Sequence, residues 1–213
     1  MGESDMSRFV YILGALCLMG CTTGNSANNM YSEWQFSDEA EYYEARNFDN
    51  PIVAAQLLGN LGYAKSMPGF EDFASALSAE AKEVETWGLV FDIAPEAGIV
   101  STIAVLNYSR DNGVIWTGSY DDETSHFEYE RRALSNPQSR EFFEKASELN
   151  AHKAVDCVGR ESLDARILYL TMFSEGSKRR FSYFAPFSGG AECKFVHDFY
   201  KFVEGIKDAV AAK

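Results

Sequence analysis

The chain has 213 residues, of which 19 are lysine or arginine and 32 are aspartate or glutamate, so its formal net charge is −13. This acidic balance argues against nucleic acid as a partner and against docking on anionic lipid through protein charge. It favours solubility and leaves a cationic partner or divalent ions as open alternatives. The length fits one domain of ordinary size or two small ones.

The N-terminal segment has the features of a secretory signal peptide. An apolar run of about 12 residues extends from Phe9 to Gly20, whereas a membrane-spanning helix needs roughly 20. A basic region should precede such a run, yet the first five residues carry two acids and no base. We therefore expect Met6, with Arg8 behind it, to be a better start. The alternative is a buried N-terminal helix that ends in a chance Gly-Cys pair.

Leu18-Met19-Gly20-Cys21 closes the apolar run with a small residue directly before a cysteine. This sequence resembles the lipobox of bacterial lipoproteins. The resemblance implies cleavage before Cys21, addition of a diacylglycerol and an N-acyl chain such as palmitate to Cys21, and a lipid-anchored protein that faces the periplasm. Several acyl chains hold a protein far more firmly than a single chain, which binds only marginally. Thr22 follows the cysteine instead of aspartate, which in enterobacterial-type sorting implies the outer membrane.

These features predict three segments along the chain. Residues 1–20 form the lipoprotein signal peptide, residues 21–35 form a lipidated flexible tether, and residues 36–213 form a single α+β domain. The tether is polar, rich in Asn and Ser, and has no apolar periodicity, so it would let the folded part stand off the membrane.

Cysteine usage fits an oxidising compartment. Cys17 leaves with the signal peptide and Cys21 is lipidated, so Cys157 and Cys193 remain as an even pair. We predict a disulfide between them, and its loop of about 35 residues would stabilise the fold by roughly 3–4 kcal/mol. The alternative is a reactive thiol, although the chain has no CxxC motif and no histidine beside either cysteine.

Helical patterns dominate the first part of the domain. Ser37 can cap a short acidic helix, and Asn50-Pro51 is a typical start for a second one. Pro68 opens a clearer helix. Its apolar side chains recur at helical spacing: Phe70, Phe73, Leu77, Ala81 and Val84.

From Trp87 onward the pattern changes to strands and hairpin turns. The first strand candidates are residues 87–93, 99–108 and 114–120. Asp111-Asn112-Gly113 is a strong hairpin turn between the last two. Phe127 and Tyr129 alternate with glutamates, which predicts a strand with one face in water.

The last third repeats this order of elements. Asn136-Pro137 starts a helix, and residues 154–158 are a candidate short strand. Residues 164–174 and 179–185 form a hairpin around Glu175-Gly176, and a final helix begins near Lys194 with an apolar stripe. The order predicts an α+β fold: an antiparallel sheet of hairpins with helices packed on one face, N-terminal helices and a C-terminal amphipathic helix.

Motifs for catalysis or metal binding are sparse. His126, His152 and His197 are isolated, and no metal-ligand spacing surrounds them. Asp121-Asp122-Glu123 could touch calcium weakly, but an acidic turn between strands is the favoured interpretation. The chain has no G-x-S-x-G elbow and no phosphate-binding glycine loop. The sequence therefore assigns no catalytic residue, no metal ligand and no cofactor.

Two basic clusters and several tyrosines are the remaining candidates for contacts. Arg131 and Arg132 lie on one predicted strand, and Lys178-Arg179-Arg180 lies on another. If these strands pair, the clusters form a basic stripe that could contact a carboxylate or phosphate; the alternative is that they guard sheet edges. The tyrosines suited to a contact surface are Tyr42, Tyr43, Tyr183 and Tyr200.

These observations favour a non-enzymatic binding or assembly module of the cell envelope, with an envelope protein as partner and no nucleic acid. One alternative is an envelope enzyme that acts on cell wall or lipid, and another is an inhibitor or immunity-type protein. Convergent polar groups in a pocket would favour an enzyme, and an exposed apolar patch would favour an assembly module. A charged protruding surface would favour an inhibitor.

Overall fold

The computed structural model describes residues 62–94, 99–151, 166–185 and 191–212. The elements in chain order are α1 (Phe70–Ala81), β1 (Thr86–Ala94), β2 (Ile99–Ser109), β3 (Asn112–Asp121), β4 (His126–Ala133), α2 (Asn136–Ala151), β5 (Arg166–Ser174), β6 (Ser177–Ala185) and α3 (Ala191–Ala211). The predicted signal peptide, the tether, the helices at Ser37 and Asn50-Pro51, and the strand at 154–158 lie outside the described residues.

The six strands form one antiparallel sheet in the order β4-β3-β2-β1-β5-β6. β1 lies inside the sheet, paired with β2 on one side and with β5 on the other, although α2 and three strands separate it from β5 in the chain. β4 and β6 are the two edges. The α+β class and the antiparallel sheet of hairpins are therefore confirmed.

Alternate side chains along the strands build two cores, one on each face of the sheet. α2 and α3 pack on one face, as predicted, with Phe142 and Phe199 in ring contact between them. α1 packs on the opposite face, where the rings of Phe70 and Phe73 lie 5.2 and 5.1 Å from the ring of Phe127. The sheet is thus enclosed by helices on both sides, which explains why its central strands are apolar on both faces.

The start of α1 differs from the prediction at Pro68. The helix begins two residues later because Gly69 adopts the left-handed conformation with φ 90°. The Pro68 carbonyl instead accepts a hydrogen bond of 2.7 Å from the backbone N–H of Phe127. A Cβ on Gly69 would lie only 2.8 Å from the Phe127 carbonyl oxygen, so glycine is needed for this close approach. The turn ties the start of α1 to the start of β4.

Local signals elsewhere agree with the predicted elements. β2 and β3 form the expected hairpin, but its turn is Arg110-Asp111, and Asn112 and Gly113 already belong to β3. β5 and β6 join through Glu175 and Gly176, whose φ values of 53° and 73° match a two-residue hairpin turn. At the start of α2, the Gln138 side-chain oxygen accepts hydrogen bonds from the backbone and hydroxyl of Ser135, which is half of a capping box.

Candidate functional site

The C-terminal half of α3 carries polar side chains beside the apolar stripe that packs on the sheet. Tyr200, Glu204 and Lys207 follow one another at helical spacing, so they lie on one side of the helix. The Tyr200 hydroxyl donates a hydrogen bond of 2.9 Å to Glu204, and the Lys201 ammonium donates one of 2.7 Å to the other carboxylate oxygen. The side chains of Tyr200, Lys201 and Glu204 are therefore held in one hydrogen-bonded group.

Beneath α3, four neighbouring strands contribute the facing side chains. The strand residues of this face that line the space beside the helix are Val90 and Asp92 of β1, Ser101 and Ile103 of β2, Ile115, Thr117 and Ser119 of β3, and Glu128, Glu130 and Arg132 of β4. Most are hydroxyls or carboxylates, and the exposure of Ser119, Glu128 and Glu130 shows that α3 leaves this part of the face open to water. The sequence places them there because strand alternation sends every second residue to this face.

Three adjoining cavities of about 260, 140 and 70 Å³ lie in this space, and Lys207 lines all three. The largest shares Ser101 with the second cavity, and it shares Thr117 and Glu130 with the third. We call this continuous concave surface the Lys207 groove. It is open to solvent on the side of β4, where Glu128 and Glu130 are exposed.

The groove carries a negative excess around one central cation. Four carboxylates, of Asp92, Glu128, Glu130 and Glu204, line it together with the two cations of Lys207 and Arg132. Burial alone would raise the pKa of Glu204, but hydrogen bonds from Lys201 and Tyr200, with the positive charges of Lys201 and Lys207, outweigh burial and lower it. Glu204 is therefore a carboxylate at neutral pH.

This set of groups suits a small polar ligand that carries charges of both signs. The carboxylates match an ammonium group, the Lys207 ammonium matches a carboxylate or phosphate, and the hydroxyls of Ser101, Thr117 and Ser119 both donate and accept hydrogen bonds. Most small-molecule pockets are lined by apolar side chains, so a cleft as polar as this one restricts the ligand to a small hydrophilic molecule.

A second polar cluster has a structural role instead. The Glu80 carboxylate at the end of α1 accepts hydrogen bonds from the Tyr108 hydroxyl, from Trp116 Nε1 at 2.5 Å and from Arg131 Nη2 at 2.6 Å. Its donors come from β2, β3 and β4, so one carboxylate joins α1 to three strands. We call this group the Glu80 clamp. The hydrogen bonds to Glu80 raise the pKa of Arg131, although burial opposes that shift.

The strand pairing that a basic stripe would need is absent from the described sheet. Arg131 and Arg132 lie on β4, whereas Lys178-Arg179-Arg180 lies on β6, at the opposite edge. The sequence left this pairing open, because charge runs do not determine strand order. Lys178 Nζ lies 5.6 Å from the ring centre of Trp87 and Arg179 lies 6.0 Å from that of Phe181. Both clusters lie on edge strands, although the two arginines of β4 bond to Glu80, Glu130 and Val210 within the fold.

The lipidation and disulfide predictions stay predictions. Cys21 and Cys157 lie outside the described residues, and Cys193 lies in the first turn of α3 with its side chain also outside them. Tyr42 and Tyr43 are likewise outside, as is the side chain of Tyr183. The remaining tyrosine candidate, Tyr200, is buried at the groove.

The acidic turn between β3 and β4 is stabilised by a hydrogen bond within the turn. The Asp121 side chain accepts a hydrogen bond of 2.9 Å from the backbone N–H of Glu123, which is an Asx turn.

Within the ranges that the structure describes, no group of three or more histidine, cysteine, aspartate or glutamate side chains could hold a metal ion. The exposed large apolar side chains of these same ranges are Tyr63 and Tyr129.

None of the helices in the described ranges is both long enough and apolar enough to cross a membrane. Comparisons with protein families, with curated proteins and with solved structures found no match to this chain.

Sequence reasoning missed most of the groove. Lys207 and Glu204 lie on α3 and the facing hydroxyls lie on β2 and β3, and no motif joins them in the sequence. The usable signal was strand parity: Ser101 on β2 and Thr117 and Ser119 on β3 alternate with buried residues, so they share one face of the sheet. Their place beside α3 follows only from the fold.

Proposed function

We propose that this protein is a lipid-anchored lipoprotein of the cell envelope and acts as a non-enzymatic binding module. The lipobox-like sequence that ends at Cys21 supports the anchor, and an acidic chain needs such an anchor because its charge does not attract anionic lipid. Thr22 after the cysteine supports the outer membrane as the location. The tether at 21–35 would leave the folded domain free to meet a ligand in the periplasm.

The observation that carries the binding role is the Lys207 groove. It joins three cavities around one ammonium group and surrounds that group with four carboxylates and several hydroxyls. We infer a small zwitterionic ligand, with an ammonium group toward the carboxylates and a carboxylate or phosphate toward Lys207. A short peptide or amino acid derivative of the envelope has this chemistry.

The same groove favours one second candidate, an envelope enzyme that acts on cell wall or lipid. Neighbouring carboxylates such as Glu128 and Glu130 are the groups that general acid–base chemistry uses. Binding without turnover separates the two candidates, because an enzyme would convert a bound substrate over time.

The anchor is tested by fractionation. The wild-type chain should incorporate labelled fatty acid and sediment with membranes, and Cys21→Ala should lose the label and become soluble in the periplasm or stay unprocessed. Cys17→Ala is the matched control, since it removes a cysteine four residues earlier and should change neither result. Label retained by the Cys21→Ala variant would refute the anchor.

The groove is tested with a defined zwitterionic probe. Dialanine, which has a free ammonium and a free carboxylate, should shift the NMR resonances of groove residues, and the same dipeptide blocked at both ends should not. Lys207→Ala should weaken the response about tenfold, as expected for loss of one charge-assisted hydrogen bond. Lys194→Ala, an exposed lysine on the same helix that pairs with Asp198, is the control. Equal shifts with both probes would argue against the proposed ligand class.

A further inference from the structure

The outer edge of β4 has backbone groups that are directed away from the sheet. Successive residues of an edge strand direct their N–H and C=O groups alternately inward and outward. Leu134 N–H bonds inward to Gly113 at 2.9 Å, whereas Phe127 N–H bonds outward to Pro68 at 2.7 Å. The odd-numbered residues of β4 therefore face outward.

Three of these outward positions are unpaired within the described part of the chain. The Pro68 turn covers the edge at Phe127, but no hydrogen bond takes up the outward backbone groups of Tyr129, Arg131 and Ala133. All three residues are exposed. An exposed run of this kind is a template for another strand.

The charged side chains that would block this edge are held on the two faces of the sheet instead. The guanidinium of Arg131 is bound to Glu80 on the α1 face. Arg132 donates a hydrogen bond of 2.7 Å to the Val210 carbonyl on the α3 face and also pairs with Glu130. Both arginines thus bond to helices of their own chain, and the backbone edge of β4 stays accessible.

We propose that this edge pairs with the same edge of a second copy of the chain. Because the Pro68 turn covers the start of β4, the second strand fits over the second half, and an antiparallel arrangement symmetric about Arg131 avoids the turn. In that register Glu130 lies opposite Arg132 of the second copy as well as beside its own Arg132, so symmetry joins the two intramolecular pairs into one network of four alternating charges. Opposite charges at directly facing positions stabilise a strand pair.

The register also accommodates the remaining side chains. Tyr129 lies opposite Ala133 of the second copy, a large residue against a small one. Arg131 faces its own symmetry mate, but each copy of Arg131 is already neutralised by its own Glu80. The eight-residue strand would extend the six-stranded sheet into one of twelve strands across two copies.

Sedimentation of the full-length chain, with detergent micelles in excess, tests this pairing across a range of protein concentrations. We expect a monomer–dimer equilibrium. Glu130→Arg and Arg132→Glu should each weaken the dimer by roughly tenfold or more, because each turns two facing attractions into repulsions. The double variant exchanges the charges and should restore the wild-type affinity. Glu141→Lys, on an exposed position of α2, is the charge control and should have no effect.

Ala133→Pro provides an independent variant. Its lost N–H faces outward, so the pairing with β3 stays intact, and thermal unfolding should be close to that of wild type while the dimer weakens. A chain that stays monomeric at all concentrations would overturn the proposal. So would a dimer that is insensitive to both single charge variants and to Ala133→Pro. Lys207→Ala should leave the dimer unchanged, which keeps this test separate from that of the groove.

Discussion

Loss of the Glu80 carboxylate should be among the most damaging polar substitutions in the domain. Glu80→Ala removes the acceptor for Tyr108, Trp116 and Arg131 together, while all three donors stay in place. Trp116 is only 6% exposed, so its N–H has little access to water once the acceptor is gone. The clamp also joins α1 to three strands, and its loss would loosen that helix.

The magnitude follows from the burial of each donor. A hydrogen bond to a charged group contributes about 1.5–3 kcal/mol where it is shielded, as at Trp116. The Arg131 side chain is 44% exposed, so water replaces much of its ion pair, which contributes about 0–1 kcal/mol. We expect Glu80→Ala to lower the free energy of unfolding by about 2–4 kcal/mol, and the Tm by roughly 5–15 °C.

Urea unfolding followed by tryptophan fluorescence measures this loss. Glu144→Ala is the matched control, because it removes a carboxylate that pairs with Arg110 where both side chains are at least half exposed. It should cost less than about 0.5 kcal/mol. Glu80→Gln, which keeps an acceptor oxygen, should fall between the two. If Glu80→Ala is no less stable than Glu144→Ala, the hydrogen bonds of the Glu80 clamp do not stabilise the fold.

Four further predictions concern other parts of the chain. Gly69→Ala should lower the free energy of unfolding by about 2 kcal/mol or more, since the left-handed φ of Gly69 and the nearby Phe127 carbonyl both exclude a Cβ. Gly176 has a positive φ but open space around it, so Gly176→Ala should cost less in the same urea titration. The lowered pKa of Glu204 means that its carboxylate stabilises the fold above its unfolded pKa, and this contribution is lost as pH falls through the folded value. The stability difference between wild type and Glu204→Gln should therefore be largest near neutral pH and vanish in acid. Mass analysis without reductant should find no free thiol at Cys157 or Cys193, and alkylation of both in the native protein would exclude the disulfide. Deletion of residues 1–5 should leave export intact if Met6 is the start, and lost export would show that those residues matter.

Local signals predicted most of the secondary structure. Alternation along 127–130, the hairpin signal around Asp111-Asn112-Gly113 and the apolar stripe of the last helix each depend on neighbours a few residues apart. Such patterns fix where an element lies and which side is apolar. They also predicted that helices would cover the sheet.

Strand order could not be read in this way. β1 pairs with β5 across α2, and that pairing depends on contacts between residues distant in sequence. For the same reason the sequence left open whether the two basic clusters share one stripe, because nothing local shows that β4 and β6 are opposite edges. Neither the Lys207 groove nor the Glu80 clamp was predicted from the sequence, because each brings together residues from several elements that are distant along the chain.

Mass spectrometry of the chain purified from its native membrane is the direct measurement of the proposed lipid anchor on Cys21. We expect a mature N-terminus at Cys21 that carries a diacylglycerol and an N-acyl chain. A mature chain that retains residues before Cys21, or that begins at Cys21 with an unmodified thiol, would contradict it.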